Sequence, residues 1–154
     1  VKMHAEYLRQ DEELVIIGPA LRTSPEQAGQ DIPLHWQRFM REHLPSLKDV
    51  HDVYAVYCDY ERDHRGPYTM VIGTRVSADA PVPEGLRRVV IPRGEYARFM
   101  TRGDPAQAVV RTWAHVWDGW ERRGERRYVA DFERHAVSAM ARGTTEAEVW
   151  VGLS

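Results

Sequence analysis

Lysine is nearly missing from this chain: Lys2 and Lys48 are the only ones, although lysine and arginine together number 21. Arginine carries almost all the positive charge, a bias that reflects genome composition more readily than a phosphate site. Against 23 acidic residues the net charge is only −2. That leaves no electrostatic footprint for nucleic acid, so direct DNA binding is not expected, and no strong acidity to mimic DNA either. Cysteine is reduced to Cys58, which excludes a disulfide framework and points to a reducing, cytoplasmic compartment. No apolar run approaches the roughly 20 residues needed to span a bilayer, and no signal peptide is expected. The seven histidines are scattered, without a His-Glu-x-x-His pair or a Cys pair, so neither metal nor cofactor is expected. A Gly-rich phosphate loop and a nucleophile elbow are lacking too.

What remains is a chain of 154 residues, read as one domain over 1–154 and long enough to bury roughly 70% of its unfolded surface. Tyr7 to Glu13 leads into the apolar run Leu14-Val15-Ile16-Ile17, which Gly18-Pro19 interrupts and Ala20 to Thr23 extends, as in a bent strand. A polar loop, Ser24 to Gln30, follows. Asp31 and Pro33 signal the start of a helix bearing Trp36, Phe39, Met40 and His43 at i, i+3, i+4, i+7. Val53 to Tyr60 and Tyr68 to Val76 read as strands, with Gly66-Pro67 turning between them.

Ala80 to Gly85 is the only Pro-rich stretch and reads as a linker between halves of about 1–80 and 86–154. After it the order repeats. Leu86 to Ile91 and Tyr96 to Met100 are strands; Asp104-Pro105 opens a helix carrying Val109, Trp113, Val116, Trp117 and Trp120, and Gly124 stops it. Tyr128 to Val137 and Ala147 to Leu153 close the chain as strands. Trp36 and Trp113 occupy equivalent places in the two helices. The expected fold is α+β: two pseudo-symmetric repeats whose antiparallel sheet carries two helices, with a ligand groove at the axis between them.

Within that frame Asp131-Phe132-Glu133 is the segment that asks for a site. A carboxylate buried among aromatics costs several kcal/mol unless something positive or protic meets it. Alternation sets Asp131, Glu133 and His135 on one face of the strand and Phe132 and Arg134 on the other, without deciding which face is inside. An arginine such as Arg134 or Arg98 would be one partner for Glu133.

The pieces Ile32 to Phe39, Tyr57 to Glu61, Gly66 to Gly73, Val82 to Leu86, Ile91 to Ala97, Asp131 to Glu133 and Glu148 to Val151 together resemble the GyrI-like small-molecule-binding family. That family supplies the effector-binding domain of multidrug-responsive transcription regulators and also occurs as a free-standing protein. The resemblance covers essentially the whole chain. It implies a doubled strand–helix–strand–strand fold with a central pocket, and a buried glutamate at Glu133 facing flat, often cationic aromatic compounds. Trp150 stands where a tyrosine is common, and Gly152 where a proline is common.

On this reading the ligand-binding residues are Glu133, Trp36, Tyr68, Trp113, Trp117, Tyr57 and Trp150. Trp120 is assigned to core or surface. The leading function is a free-standing binder of small aromatic, cationic or amphipathic compounds, serving sequestration or regulation; any DNA contact would come from another chain. The alternative is a hydrolase of strained, cyclopropane-like small molecules, with Glu133 as base and Tyr68 or a neighbour as donor. A protein-interaction role, such as gyrase inhibition, is the third, and leaves a protein partner open.

Overall fold

The computed structural model describes residues 3–154. Nine strands form one antiparallel sheet: β1 (Ala5–Gln10), β2 (Leu14–Gly18), β3 (Ala20–Thr23), β4 (Asp52–Cys58), β5 (Tyr68–Val76), β6 (Arg87–Ile91), β7 (Gly94–Gly103), β8 (Ala130–Ala136) and β9 (Thr145–Gly152). Their order is β1-β7-β9-β8-β4-β5-β2-β6, with β3 also paired to β5. The strands are where β-branched and aromatic residues concentrate, because such side chains pack well on a pleated surface.

The order reads the same from both ends. β4 and β8 lie side by side at the centre, flanked by β5 and β9, then by the bent β2–β3 strand and β7, with β6 and β1 at the edges. This is the expected pseudo-two-fold arrangement, with one refinement. The first strand of each half crosses to the other: β1 pairs with β7 and β6 pairs with β2. The lead-in segment is therefore a separate strand and not an extension of Leu14 to Ile17.

The bend between β2 and β3 depends on two glycines. A Cβ at Gly18 would run into the Ile72 carbonyl, and one at Gly73 into the Ile17 carbonyl. The main chains approach this closely where the Ile72 amide donates to the Pro19 carbonyl oxygen at 3.2 Å.

Both helices begin or end away from their expected positions. α1 (Pro25–Arg38) starts at the loop read as polar: Ser24 is its extended N-cap and Pro25 its first residue. The Ser24 carbonyl accepts from the amides of Gln27 and Ala28 at 3.0 and 2.8 Å. The Ser-Pro pair gives the same start signal as Asp31 and Pro33, earlier in the chain, and Pro33 ends up inside the helix. The Asp31 carboxylate instead accepts from the Thr23 hydroxyl at 2.9 Å. Beyond Arg38 the chain widens into a π-type segment, Phe39–His43. That widening breaks the 3.6-residue stripe, leaving Met40 exposed while Phe39 is buried.

α2 (Ala108–Asp118) follows a turn in which Asp104 accepts from the amide of Ala106 at 2.8 Å. It stops at Gly119, with Gly124 in a later 3-10 turn and Trp120 outside the helix. A further short helix, α3 (Val137–Ala141), follows β8; at five residues it is too short to leave a periodic signature.

α1 and α2 cover the same face of the sheet. Phe39, Val53, Ala55, Met70 and Ile72 form the core beneath α1. Phe99, Trp113, Val116, Trp120, Val149 and Val151 form the core at α2. The reverse face buries Tyr54, Val56, Val71, Tyr96, Phe132 and Trp150 with residues of β2 and β6. Each large apolar side chain fully buried here contributes about 1.5–3 kcal/mol. No helix among the described residues is long and apolar enough to cross a membrane.

Replacing Gly73 by alanine should cost about 1–3 kcal/mol, because the clash is with backbone that has nowhere to relax. Urea denaturation of G73A against the parent checks this; an unchanged midpoint would mean that the β2–β5 approach is looser than described.

Candidate functional site

The two helix-covered cores meet over the central pair β4–β8, where Ala55 lies opposite Glu133. The alternation on β8 is resolved: Asp131, Glu133 and His135 face the helices and are buried, while Phe132 faces the reverse core. Two buried carboxylates thus sit two residues apart on one strand face, and their neighbours treat them differently.

Asp131 is completed by a cation. The Arg126 guanidinium donates to it at 2.8 Å, the Tyr60 hydroxyl at 2.6 Å and the Gly152 amide at 2.8 Å. Both members of the ion pair are essentially solvent-free, at 2% and 0% side-chain exposure. Removing one would strand the other charge, at a cost of about 3–5 kcal/mol.

Glu133, at 1% exposure, has no such partner. The Tyr57 hydroxyl donates to Oε2 at 2.5 Å and the Trp113 indole N–H to the same oxygen at 2.7 Å. Its Oε1 meets His135 Nε2 at 2.8 Å. The arginines named as candidates go elsewhere: Arg134 pairs with Asp52 and Glu148, and Arg98 with Glu6 and Glu148. Glu133 is therefore held by a phenol, an indole and an imidazole, all of which hydrogen-bond a carboxylate without necessarily neutralising it.

The aromatic residues gather around this group. The Tyr57 ring meets Trp113 edge-on at 5.3 Å and Tyr68 at 5.8 Å. Trp36 reaches the cluster from the other helix, edge-on to His135 at 4.9 Å. Trp117 stacks on Trp113 at 6.4 Å and is 44% exposed, so it forms an outer wall. Trp150 is the exception among the expected residues. It pairs with Phe132 across β8 and β9 and stacks on it at 5.3 Å, on the face away from Glu133. The period of two fixes that outcome once Val149 is set opposite Glu133. The residues not anticipated were His135 as a partner of Glu133, and Tyr60, Arg126 and Tyr128 beside Asp131. His135 shares the strand face already read from alternation. Arg126 lies in a loop without any pattern, and Tyr128, read as the first residue of a strand, instead precedes β8 with a left-handed backbone, φ 53°.

Burial tunes the hydroxyls. Tyr57 is held well above the usual phenol range, first by burial and then by the Glu133 charge and hydrogen bond. Tyr60 is raised in the same way, by burial and then Asp131. Tyr68 is pushed up to about 12 by burial and by Glu133. These groups remain donors at neutral pH. The Cys58 thiol is pushed up to about 11, mainly by burial, and is not a nucleophile there.

The sequence matches the model of a family described as Cass2, integron-associated effector binding protein, over residues 8–153. The chain belongs to that family. It is 27% identical over 128 residues to YobU of Bacillus subtilis (strain 168), a protein named for transcriptional regulation, covering 79% of each chain. Its fold resembles the integron cassette protein VCH_CASS2 of Vibrio cholerae, with a TM-score of 0.79 at 21% identity over 97% of this chain and 95% of that one. It resembles equally the structure of SAV2435 bound to tetraphenylphosphonium, with a TM-score of 0.79 at 17% identity, over 99% and 94% of the two chains. These neighbours bear out the GyrI-like resemblance and the α+β fold.

The raised tyrosines carry a pH dependence. Below pH ~10 they are protonated in both folded and unfolded chains; above it the unfolded chain releases protons that the folded chain retains, so stability falls as pH rises from about 10 toward 12. Urea midpoints measured across that range should drop, and drop less steeply in Y57F. Parallel slopes in the two proteins would mean that Tyr57 ionises freely in the folded state.

Proposed function

We propose that this chain is an effector-binding protein for small flat aromatic compounds, cationic or amphipathic, which it recognises at the Glu133 cluster. The observation that carries this reading is a buried glutamate without an arginine or lysine partner, surrounded by Trp36, Tyr57, Tyr68 and Trp113. Its neighbour Asp131, two residues away, is fully paired, so the sheet keeps one compensated carboxylate and one reserved. Aromatic faces attract a cation by about 0.5–2 kcal/mol each. The ligand need not touch the carboxylate: at about 6 Å and an effective dielectric of about 20, the attraction is still about 3 kcal/mol. A neighbour of the same fold is described bound to tetraphenylphosphonium, a compound with four aromatic rings and one diffuse positive charge, and this supports the class of ligand.

The groove is filled by its own side chains, and both Glu133 oxygens already accept hydrogen bonds. That speaks for binding over hydrolysis, because a general base must leave an oxygen open to water. Tyr57, a neighbour of Tyr68, spends its hydroxyl on the carboxylate itself. The net charge of −2 favours no DNA mimicry. Sequestration and regulation both follow from a binding role, with DNA contact supplied from outside this fold.

Titrating tetraphenylphosphonium against tryptophan fluorescence should give saturable quenching, and E133Q should weaken affinity about tenfold or more, equivalent to about 1.4 kcal/mol. Neutral triphenylphosphine oxide should bind both proteins alike. Equal affinity of the cation for parent and E133Q would remove the carboxylate from recognition.

A further inference from the structure

Beside the Glu133 cluster, on the far side of Trp113, lies a cleft of about 200 Å3 lined by His64, Val116, Trp117, Arg123, Arg126 and Tyr128. We infer that this cleft is a second binding subsite, one that takes the carboxylate of a small aromatic acid on Arg126. The inference goes beyond cation binding at Glu133 and does not depend on it.

Three observations carry it. The first is the guanidinium itself. Arg126 uses Nη2 on Asp131, but its buried Nε and Nη1 have no hydrogen-bond partner among the described residues. The Tyr128 ring lies over the guanidinium at 4.3 Å and the Trp113 ring at 5.8 Å. Ring faces meet the charge, yet they leave the in-plane N–H donors unsatisfied. An orphaned buried donor is costly, and a role confined to holding Asp131 does not recover that cost. Nε–H and Nη1–H point to different edges of the guanidinium, so a carboxylate would take one of them through one oxygen, as a charge-assisted hydrogen bond.

The second is the sign of the cleft. Among the described residues its charged lining side chains are Arg123 and Arg126; Asp131 offsets Arg126, so Arg123 supplies the net positive charge. The Glu133 cluster offers the opposite sign, so the two sites select different ends of a molecule or different molecules.

The third is the apolar wall. Trp117 is 44% exposed, an unusual position for a tryptophan already stacked on another, and with Val116 it gives a ring system a surface to lie on. Tyr128 covers the arginine from a left-handed backbone position, φ 53°, which a bulky residue rarely adopts. Its hydroxyl is held by a single contact with His64 Nδ1 at 3.1 Å. A carboxylate oxygen reaches one of these donors when this ring turns aside.

The test is calorimetric titration with 2-naphthoate and its neutral isostere 2-naphthamide. In the parent protein 2-naphthoate should bind saturably and 2-naphthamide at least tenfold more weakly. W117A, altered at an exposed wall away from the buried ion pair, should weaken 2-naphthoate at least fivefold. R126M should lower 2-naphthoate to the level of 2-naphthamide; if R126M fails to fold, the parent comparison and W117A decide alone. Equal affinity for the two probes in the parent, or 2-naphthoate binding indifferent to W117A, overturns the subsite. Tetraphenylphosphonium titrated into the same parent protein reads the Glu133 site separately. If it fails while 2-naphthoate binds with the expected preference, only the cation reading falls; the reverse removes only the anion subsite.

Discussion

Everything at the centre of this molecule depends on how two carboxylates are accommodated on one face of β8. Asp131 and Glu133 are both out of water, where an uncompensated charge would cost several kcal/mol. Asp131 is answered by Arg126 and Tyr60 and by the main chain of β9 at Gly152. That network ties the loop after α2, the end of β4 and the last strand to one oxygen pair. Glu133 is answered by Tyr57, Trp113 and His135, without an arginine or lysine.

The topology explains why the reserved group sits where aromatic side chains can reach it from both halves. β4 and β8 are neighbours at the pseudo-two-fold axis, so the two helices flank the same pair of strands. Trp36 from α1 and Trp113 from α2 approach opposite ends of the Glu133–His135 pair. The exchange of edge strands, β1 onto β7 and β6 onto β2, ties the halves together. Close backbone contact at Gly18 and Gly73 lets the bent β2–β3 strand continue across β5, in the place that unbroken β7 holds in the other half.

Much of this was legible in the chain. Eight of the nine strands coincide with runs of β-branched and aromatic residues, and the repeated order of elements announced the symmetry. The aromatic set around Glu133 was legible too, through the likeness to a family of binders. What escaped did so for physical reasons. Ser24-Pro25 and Asp31 with Pro33 give the same start signal, and only packing chooses between them. The π-type winding at Phe39 breaks the period on which the Met40 reading relied. Trp150 was misplaced because the side facing the core depends on register, and register is set by pairing with β8, not by the strand's own sequence. Arg126 and Tyr128 lie in irregular chain, where neither period nor propensity says which side chain turns inward.

The central claim is that Glu133 and its aromatic neighbours form a cation site. A crystal structure with tetraphenylphosphonium bound tests it most directly. The account predicts phosphorus density within about 6 Å of the rings of Trp36, Tyr57, Tyr68 or Trp113, the range over which cation–π attraction acts, with the Glu133 carboxylate as the nearest negative charge. A ligand seated elsewhere, with Glu133 still enclosed by Tyr57, Trp113 and His135, would contradict it.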